Sequence, residues 1–229
     1  MAPVEARRAE PDSRRGFSPL LGFGILLLAA LLIVGGWLGW RFWGANLLAA
    51  RSAADTVAQL RADWAANPAP APEEGQTTAV DTPDAHAAAW ILTIPALGLE
   101  WPVVAGVEPS DLAVGVGWYP GTALPGQVGN FVLAGPRITD GRPFYDLLDL
   151  AEGDEIVLET RGARFTYSVV LSPADLTVDA GADWVLDPVP GQPDEVPSQA
   201  LITLTTSEDL VDTPDRAVGI GTLTETETP

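Results

Sequence analysis

After Trp90 the chain seldom runs far without a glycine or a proline, and this punctuation limits it to short elements. The whole sequence holds 23 Gly and 21 Pro. Tyr119-Pro120-Gly121, Leu124-Pro125-Gly126 and Gly191-Gln192-Pro193 read as turns. Between the breaks lie segments rich in β-branched and aromatic residues. The predicted strands are Trp90–Ile94, Val103–Ala105, Asn130–Ala134, Glu155–Thr160, Arg164–Val170, Leu201–Thr205 and Ala217–Leu223. In Arg164–Val170 the residues Phe165, Tyr167 and Val169 share one face, and Arg164, Thr166 and Ser168 the other. Thr160-Arg161-Gly162-Ala163 suits a hairpin turn. Phe144–Leu150 is the best short helical turn, and Pro188–Pro197 is too proline-rich for a strand. Many short strands with turns between them indicate an all-β sandwich or barrel.

The N-terminal part obeys a different rule. Leu20 to Trp40 is 21 residues without a charge, about 30 Å as a helix, the thickness of a bilayer core. Trp37, Trp40, Phe42 and Trp43 cluster at its end, as interfacial aromatics do. Arg7, Arg8, Arg14 and Arg15 precede it, whereas Arg41, Arg51 and Arg61 are diluted by Asp55 and Asp63. This asymmetry predicts a single-pass cell-membrane anchor with the N-terminus cytoplasmic and the following domain extracytoplasmic. A cleaved signal peptide, with an apolar region of about 7–15 residues, is the competing reading. Ala49, Ala50, Ala53 and Ala54 offer small-residue cleavage positions, but the length of the apolar run favours the anchor.

Asn46 to Trp64 is predicted helical, with Leu47, Leu48, Val57, Leu60 and Trp64 partly in register. Residues 67–85 are rich in Pro, Ala and acids and read as an extended spacer. His86, at its end, reads as a surface residue without convergent partners.

Charge and composition exclude much chemistry. The 12 basic residues are all Arg, against 31 acids, a formal charge of -19. Residues 1–61 hold seven Arg and four acids, a net of +3, and residues 62–229 hold five Arg and 27 acids, a net of -22. The acidic part would be repelled by phosphates, so a nucleic-acid partner is not expected. There is no Cys, no Lys and one His. Thiolate attack, disulfides, zinc–thiolate sites, Schiff bases, Ser–Lys dyads and multi-histidine metal sites all fall away. No cofactor is called for.

The order of motifs is similar to that of the sortases. It begins with Ile94-Pro95-Ala96-Leu97-Gly98-Leu99 and Trp101-Pro102-Val103-Val104. Gly117-Trp118-Tyr119-Pro120-Gly121-Thr122-Ala123-Leu124-Pro125-Gly126 follows, then Gly129-Asn130 and Val132-Leu133-Ala134-Gly135. Phe144-Tyr145-Asp146-Leu147, Gly153-Asp154-Glu155-Ile156 and Leu201-Ile202-Thr203-Leu204-Thr205-Thr206-Ser207 complete it, before Arg216. The resemblance covers roughly residues 90–223 and is nearest to class E. It implies an eight-stranded β-barrel with short helices. The division expected is a cytoplasmic tail (1–16), an anchor (17–43), a helical stalk and linker (44–86), the barrel (87–224) and a C-terminal tail (225–229).

The resemblance also implies an activity. Sortases are cysteine transpeptidases that cut a sorting motif and join it to a cell-wall or pilin amine, using His, Cys and Arg. The His position matches Pro136, followed by Arg137, the Cys position matches Ser207, and the Arg position matches Arg216. A further His position holds Trp118. A serine hydroxyl needs a base within hydrogen-bond reach, and Pro136 offers neither acid nor base. Losing general acid–base catalysis alone costs about 10²–10⁴ in rate. These residues predict an inactive sortase-fold protein that binds a sorting-signal peptide or another envelope protein. The alternative is a weak serine-based transpeptidase or hydrolase, with Glu208 or Asp209 as base.

Thr205, Thr206, Arg137 and Arg216 are the candidate groove residues. Arg216 is read equally as a donor to a peptide or as the ion-pair partner of Asp209, Asp212 or Asp215. Those three acids are weak calcium candidates, although a solvated acidic loop is the simpler reading and no metal is expected. Trp90, Trp101, Trp118 and Trp184 are expected in the core or at its rim.

Overall fold

The structure is a computed structural model and describes residues 19–40, 44–70, 80–209 and 213–228. It divides into two compact units, Met1–Arg41 and Phe42–Pro229. In the first, helix α1 spans Pro19–Gly39 and exposes Leu26, Leu28, Leu31 and Ile33. Among the described residues, no helix is long and apolar enough to cross a membrane. The flanking arginines at 7, 8, 14, 15 and 41, together with Phe42 and Trp43, lie outside the described residues, as do positions 71–79 of the spacer.

In the second unit the strands are β1 (Ala88–Ile94), β2 (Leu99–Ala105), β3 (Val116–Trp118), β4 (Gly129–Ala134), β5 (Glu155–Glu159), β6 (Arg164–Leu171), β7 (Thr177–Asp179), β8 (Ala200–Ser207) and β9 (Asp215–Glu227). They form one sheet in the order β6-β5-β1-β2-β3-β4-β8-β9-β7. β6 also pairs with β9, which closes eight strands into a barrel and leaves β7 as an addition. Closure removes the exposed sheet edges of those eight strands. The long β9 allows this. Its first residues pair with β7, while Ile220 to Glu227 pair with β6.

The seven predicted strands are present, six of them longer than expected and β5 one residue shorter, whereas β3 and β7 were not expected. Each has three residues, too few to display a period of two. The tail expected from residue 225 is instead strand as far as Glu227, because β6 supplies a ladder opposite Glu225, Thr226 and Glu227. At Thr160–Ala163 the expected hairpin turn forms, with Thr160 N donating to Ala163 O at 2.8 Å. The helical turn expected at Phe144–Leu150 narrows to a 3₁₀ turn at Leu147–Asp149.

Inside the barrel, Phe131, Leu133, Ile156, Leu158, Phe165, Tyr167, Ile202 and Leu204 form the core. Trp90 meets Trp118 and Phe131 edge to face, with centroids 5.4 and 5.5 Å apart, a favoured aromatic geometry. Trp90 and Trp118 are thus core residues, Trp101 is half-buried against the core, and Trp184 is at the surface.

The segment expected to be a stalk is helix α2 (Ala45–Ala66), and it lies on the barrel. Asn46, Ala53 and Val57 are its buried side chains. Arg61 bridges Glu100 of β2 at 2.7 Å and Glu159 of β5 at 3.2 Å. Such exposed pairs contribute about 0–1 kcal/mol, so burial of the small apolar face does most to hold the helix. The spacing of Ala53 and Val57 marks that face, but alanine-rich helices show it weakly.

Candidate active-site groove

The site lies on the outer face of the barrel where β4, β8 and β9 run side by side. In β8 the even residues Ile202 and Leu204 belong to the core, so Thr203, Thr205 and Ser207 point outward. Ser207 is the register partner of Arg216, and directly opposed residues of an antiparallel pair share a face. Ala134 at the end of β4 is opposite Thr205. These pairings bring Pro136, Arg137, Thr205, Thr206, Ser207, Asp209 and Arg216 into one groove of about 650 Å³. Every groove residue expected from the sequence is therefore in the same place. Asp215 is outside the lining, and Asp212 is outside the described residues.

Two walls flank the floor. Val178, Val185 and Leu186 form one, and Ile138 and Thr139 belong to the other. Asn130 pins the first wall. Its side chain donates to Val185 O at 2.9 Å and Asp187 O at 3.0 Å, while accepting from Thr203 Oγ1 at 2.7 Å. Asn130 and Thr203 are both fully buried, and satisfying their polar atoms in this way makes the wall position specific. The floor is tied likewise. Thr206 Oγ1 donates to Gly135 O at 2.8 Å, and Gly135 N donates to Thr205 O at 3.1 Å.

Both arginines are occupied by backbone. Arg216 donates through Nη1 to Thr213 O at 3.0 Å and Asp215 O at 3.2 Å. Of the two readings for Arg216, the ion pair finds no carboxylate partner among the described residues. Arg137 donates to the carbonyls of Ser207 (3.3 Å) and Glu208, and weakly to Tyr145 O. It acts as a strut between the ends of β4 and β8. Tyr119, read from the sequence as a turn and motif residue but not as part of the site, also lines the groove. Burial pushes its phenol above the ordinary value, with Asp183 adding to this and the Arg216 cation opposing it.

The acids beside Ser207 separate. Asp209 lines the groove and accepts from Thr213 Oγ1 at 3.2 Å, whereas Glu208 is not part of the lining. One Glu208 carboxylate oxygen is buried and has no hydrogen-bond partner among the described residues. No group of three or more acidic or histidine side chains among the described residues converges as a metal site would require.

His86 departs from its expected isolation. Its Nδ1 meets Asp111 Oδ1 at 2.8 Å, and Asp111 is 2% exposed. The chain folds back here, with His86 N donating to Ala105 O at 2.8 Å. Asp111 lies in the short helix α3 (Pro109–Leu112) and also accepts from Glu108 N at 3.0 Å. The hydrogen bond to Asp111, then its charge, raise the His86 pKa. A His–carboxylate pair thus exists, but His86 is not among the groove-lining residues.

Known proteins share this fold. The sortase domain family matches residues 92–224. Sortase SrtE1 of Streptomyces coelicolor is 31% identical over 217 residues, 88% of this chain, which spans 56% of that relative's length. Sortase E of Streptomyces avermitilis has 33% identity and a TM-score of 0.57, over 63% of this chain and 93% of that structure. Sortase E1 of Streptomyces coelicolor, solved with a tripeptide in its active site, has 31% identity and a TM-score of 0.55, over 62% and 90%. With the barrel, the outer groove and these likenesses in agreement, the chain belongs to the sortase family and is class E-like.

Proposed function

We propose that this protein is a non-catalytic sortase that binds an extended peptide or protein segment at the cell envelope. The observation that carries the reading is a groove with one wall pinned by Asn130 and a floor that presents Ser207 and Pro136. In the family pattern those positions carry the attacking thiol and the proton-transferring histidine. The hydroxyl of Ser207 would need a base, Pro136 has no titratable atom, and His86 is held by Asp111. The groove volume of about 650 Å³ suits a short peptide. β7 ends the sheet order, and its outer edge can take a further strand, as peptide-binding sheets do.

The 21-residue apolar segment would hold the domain at the outer face of the cell membrane by a single anchor. Sorting-signal peptide is the expected ligand, with another envelope protein as the alternative partner.

The test incubates the purified chain with sorting-motif peptides and follows binding and cleavage separately. Binding without turnover supports the proposal. Turnover that disappears in Ser207→Ala would overturn it in favour of a serine-based enzyme, for which Asp209, on the groove lining and two residues from Ser207, is a candidate base. Capture of an envelope protein with no peptide binding would point to a structural partner.

A further inference from the structure

The second wall of the groove is held from outside the barrel. Asn46, in the first turn of α2, is 8% exposed. Its Nδ2 donates to Ile138 O at 3.3 Å, and its Oδ1 accepts from Gly141 N at 3.0 Å. Both ends of the side-chain amide thus read the backbone of one loop more than ninety residues away.

That loop needs holding. Asp140, Gly141 and Arg142 have φ of 53°, 84° and 59°, and L residues such as Asp140 and Arg142 adopt this left-handed region only at a cost. Gly141 is enclosed as well. A Cβ there would lie 2.4 Å from the Trp101 ring and 3.1 Å from Ala50 N of α2. Arg142 N closes the turn onto Thr139 O at 2.8 Å. Ile138 and Thr139, at the start of this loop, line the groove.

We propose that Asn46 is a positioning residue through which helix α2 sets the Ile138–Thr139 wall of the groove. The inference rests on the peptide-binding reading for its functional meaning. It adds that the helix following the apolar N-terminal segment controls the groove's shape, so a displacement of α2 is felt by whatever occupies the groove.

Two probes test this on the full chain without any peptide. The first is amide hydrogen exchange. In Asn46→Ala, residues 138–142 should exchange roughly ten-fold or more faster, since the half-buried Gly141 N–H loses its acceptor, while β4 and β8 stay protected. The second uses the absence of cysteine. Ile138→Cys introduces a single thiol in the wall, and adding Asn46→Ala should raise its alkylation rate several-fold. Asn46→Asp keeps an acceptor for Gly141 N but has no donor for Ile138 O, so it should fall between the two. Unchanged exchange and alkylation would overturn the proposal. So would a loss of protection spread evenly through β4 and β8, which would make Asn46 a general stabiliser. Failure of the unaltered chain to bind a sorting-motif peptide would count against the groove's proposed function alone, and the two probes would still judge the clamp.

Discussion

Gly135→Ala should destabilise the domain far more than adding one methyl group suggests. Gly135 follows β4, is buried, and carries two backbone hydrogen bonds that tie the groove floor. Its Cα faces the ring of Phe144, which is 0% exposed. A Cβ would lie 2.5 Å from Cδ2 and 2.8 Å from both Cε2 and Cγ. Nothing at the far end of a flexible side chain can yield, because the ring is rigid and enclosed. Overpacking of a well-filled core costs about 1–3 kcal/mol, and three ring atoms at this range place the cost near 3 kcal/mol. For a domain of this size the melting temperature should fall about 2–4 °C per kcal/mol, or roughly 6–12 °C. Urea unfolding should show the same loss as a lower midpoint with an unchanged slope. The cause is checked by a double-mutant cycle with Phe144→Leu. The smaller residue gives the new methyl room, so the combined loss should fall short of the sum by about 1–2 kcal/mol. A loss below about 0.5 kcal/mol, or strict additivity, would refute the argument that Phe144 requires glycine here.

Other outcomes follow from the same geometry. Tyr167 is fully buried, its hydroxyl accepts from Gly126 N at 2.8 Å, and burial pushes its pKa up to about 12 against the effect of that bond. Tyr167→Phe should therefore cost about 1–3 kcal/mol by leaving Gly126 N without a partner, and in spectrophotometric titration it should remove the last tyrosine to ionise. The single histidine permits an unambiguous NMR titration, whose midpoint should lie above the usual 6.5. Because the folded state holds this proton more tightly, the stability from the His86–Asp111 pair is complete below about pH 6.5 and is lost as pH rises through the folded value. The difference in melting temperature between the unaltered chain and His86→Asn should shrink over that window, and a difference that grew with pH would contradict the pairing. Finally, Ser207→Cys with Pro136→His should restore some cleavage of sorting-motif peptides, while either change alone restores much less, since nucleophile and proton donor act as a unit. A well-folded but inert double variant would show that the groove itself no longer presents a peptide correctly.

Much of the fold is legible because its cause is local. Alternation in β6 and the turn residues at Thr160–Ala163 reveal a hairpin, and apolar runs such as Phe131 to Leu133 mark strands. The two missed strands carry no such signal, since β3 and β7 exist only because neighbouring strands offer them ladders. The candidate site is legible for a different reason. Pro136, Ser207 and Arg216 hold places in a recognisable order of motifs, and the groove lies where that order implies. The place of Tyr119, Val185 and Leu186 in the groove was not legible because they reach it through loop geometry.

By itself, then, the sequence determines the length and period of the elements and the chemistry available to them. No thiol, no lysine and one histidine are facts of composition that no folding can change. The tertiary structure alone decides which groups meet. It lays α2 on the barrel, gives His86 a buried carboxylate partner, turns Arg137 and Arg216 toward carbonyls, and hydrogen-bonds Asn130 and Asn46 to the segments at Val185 and Ile138 that line the groove. The reason is physical. Strand period and turn propensity act between neighbours in the chain, whereas a buried amide or carboxylate must find its hydrogen-bond partner wherever the closed barrel has brought one.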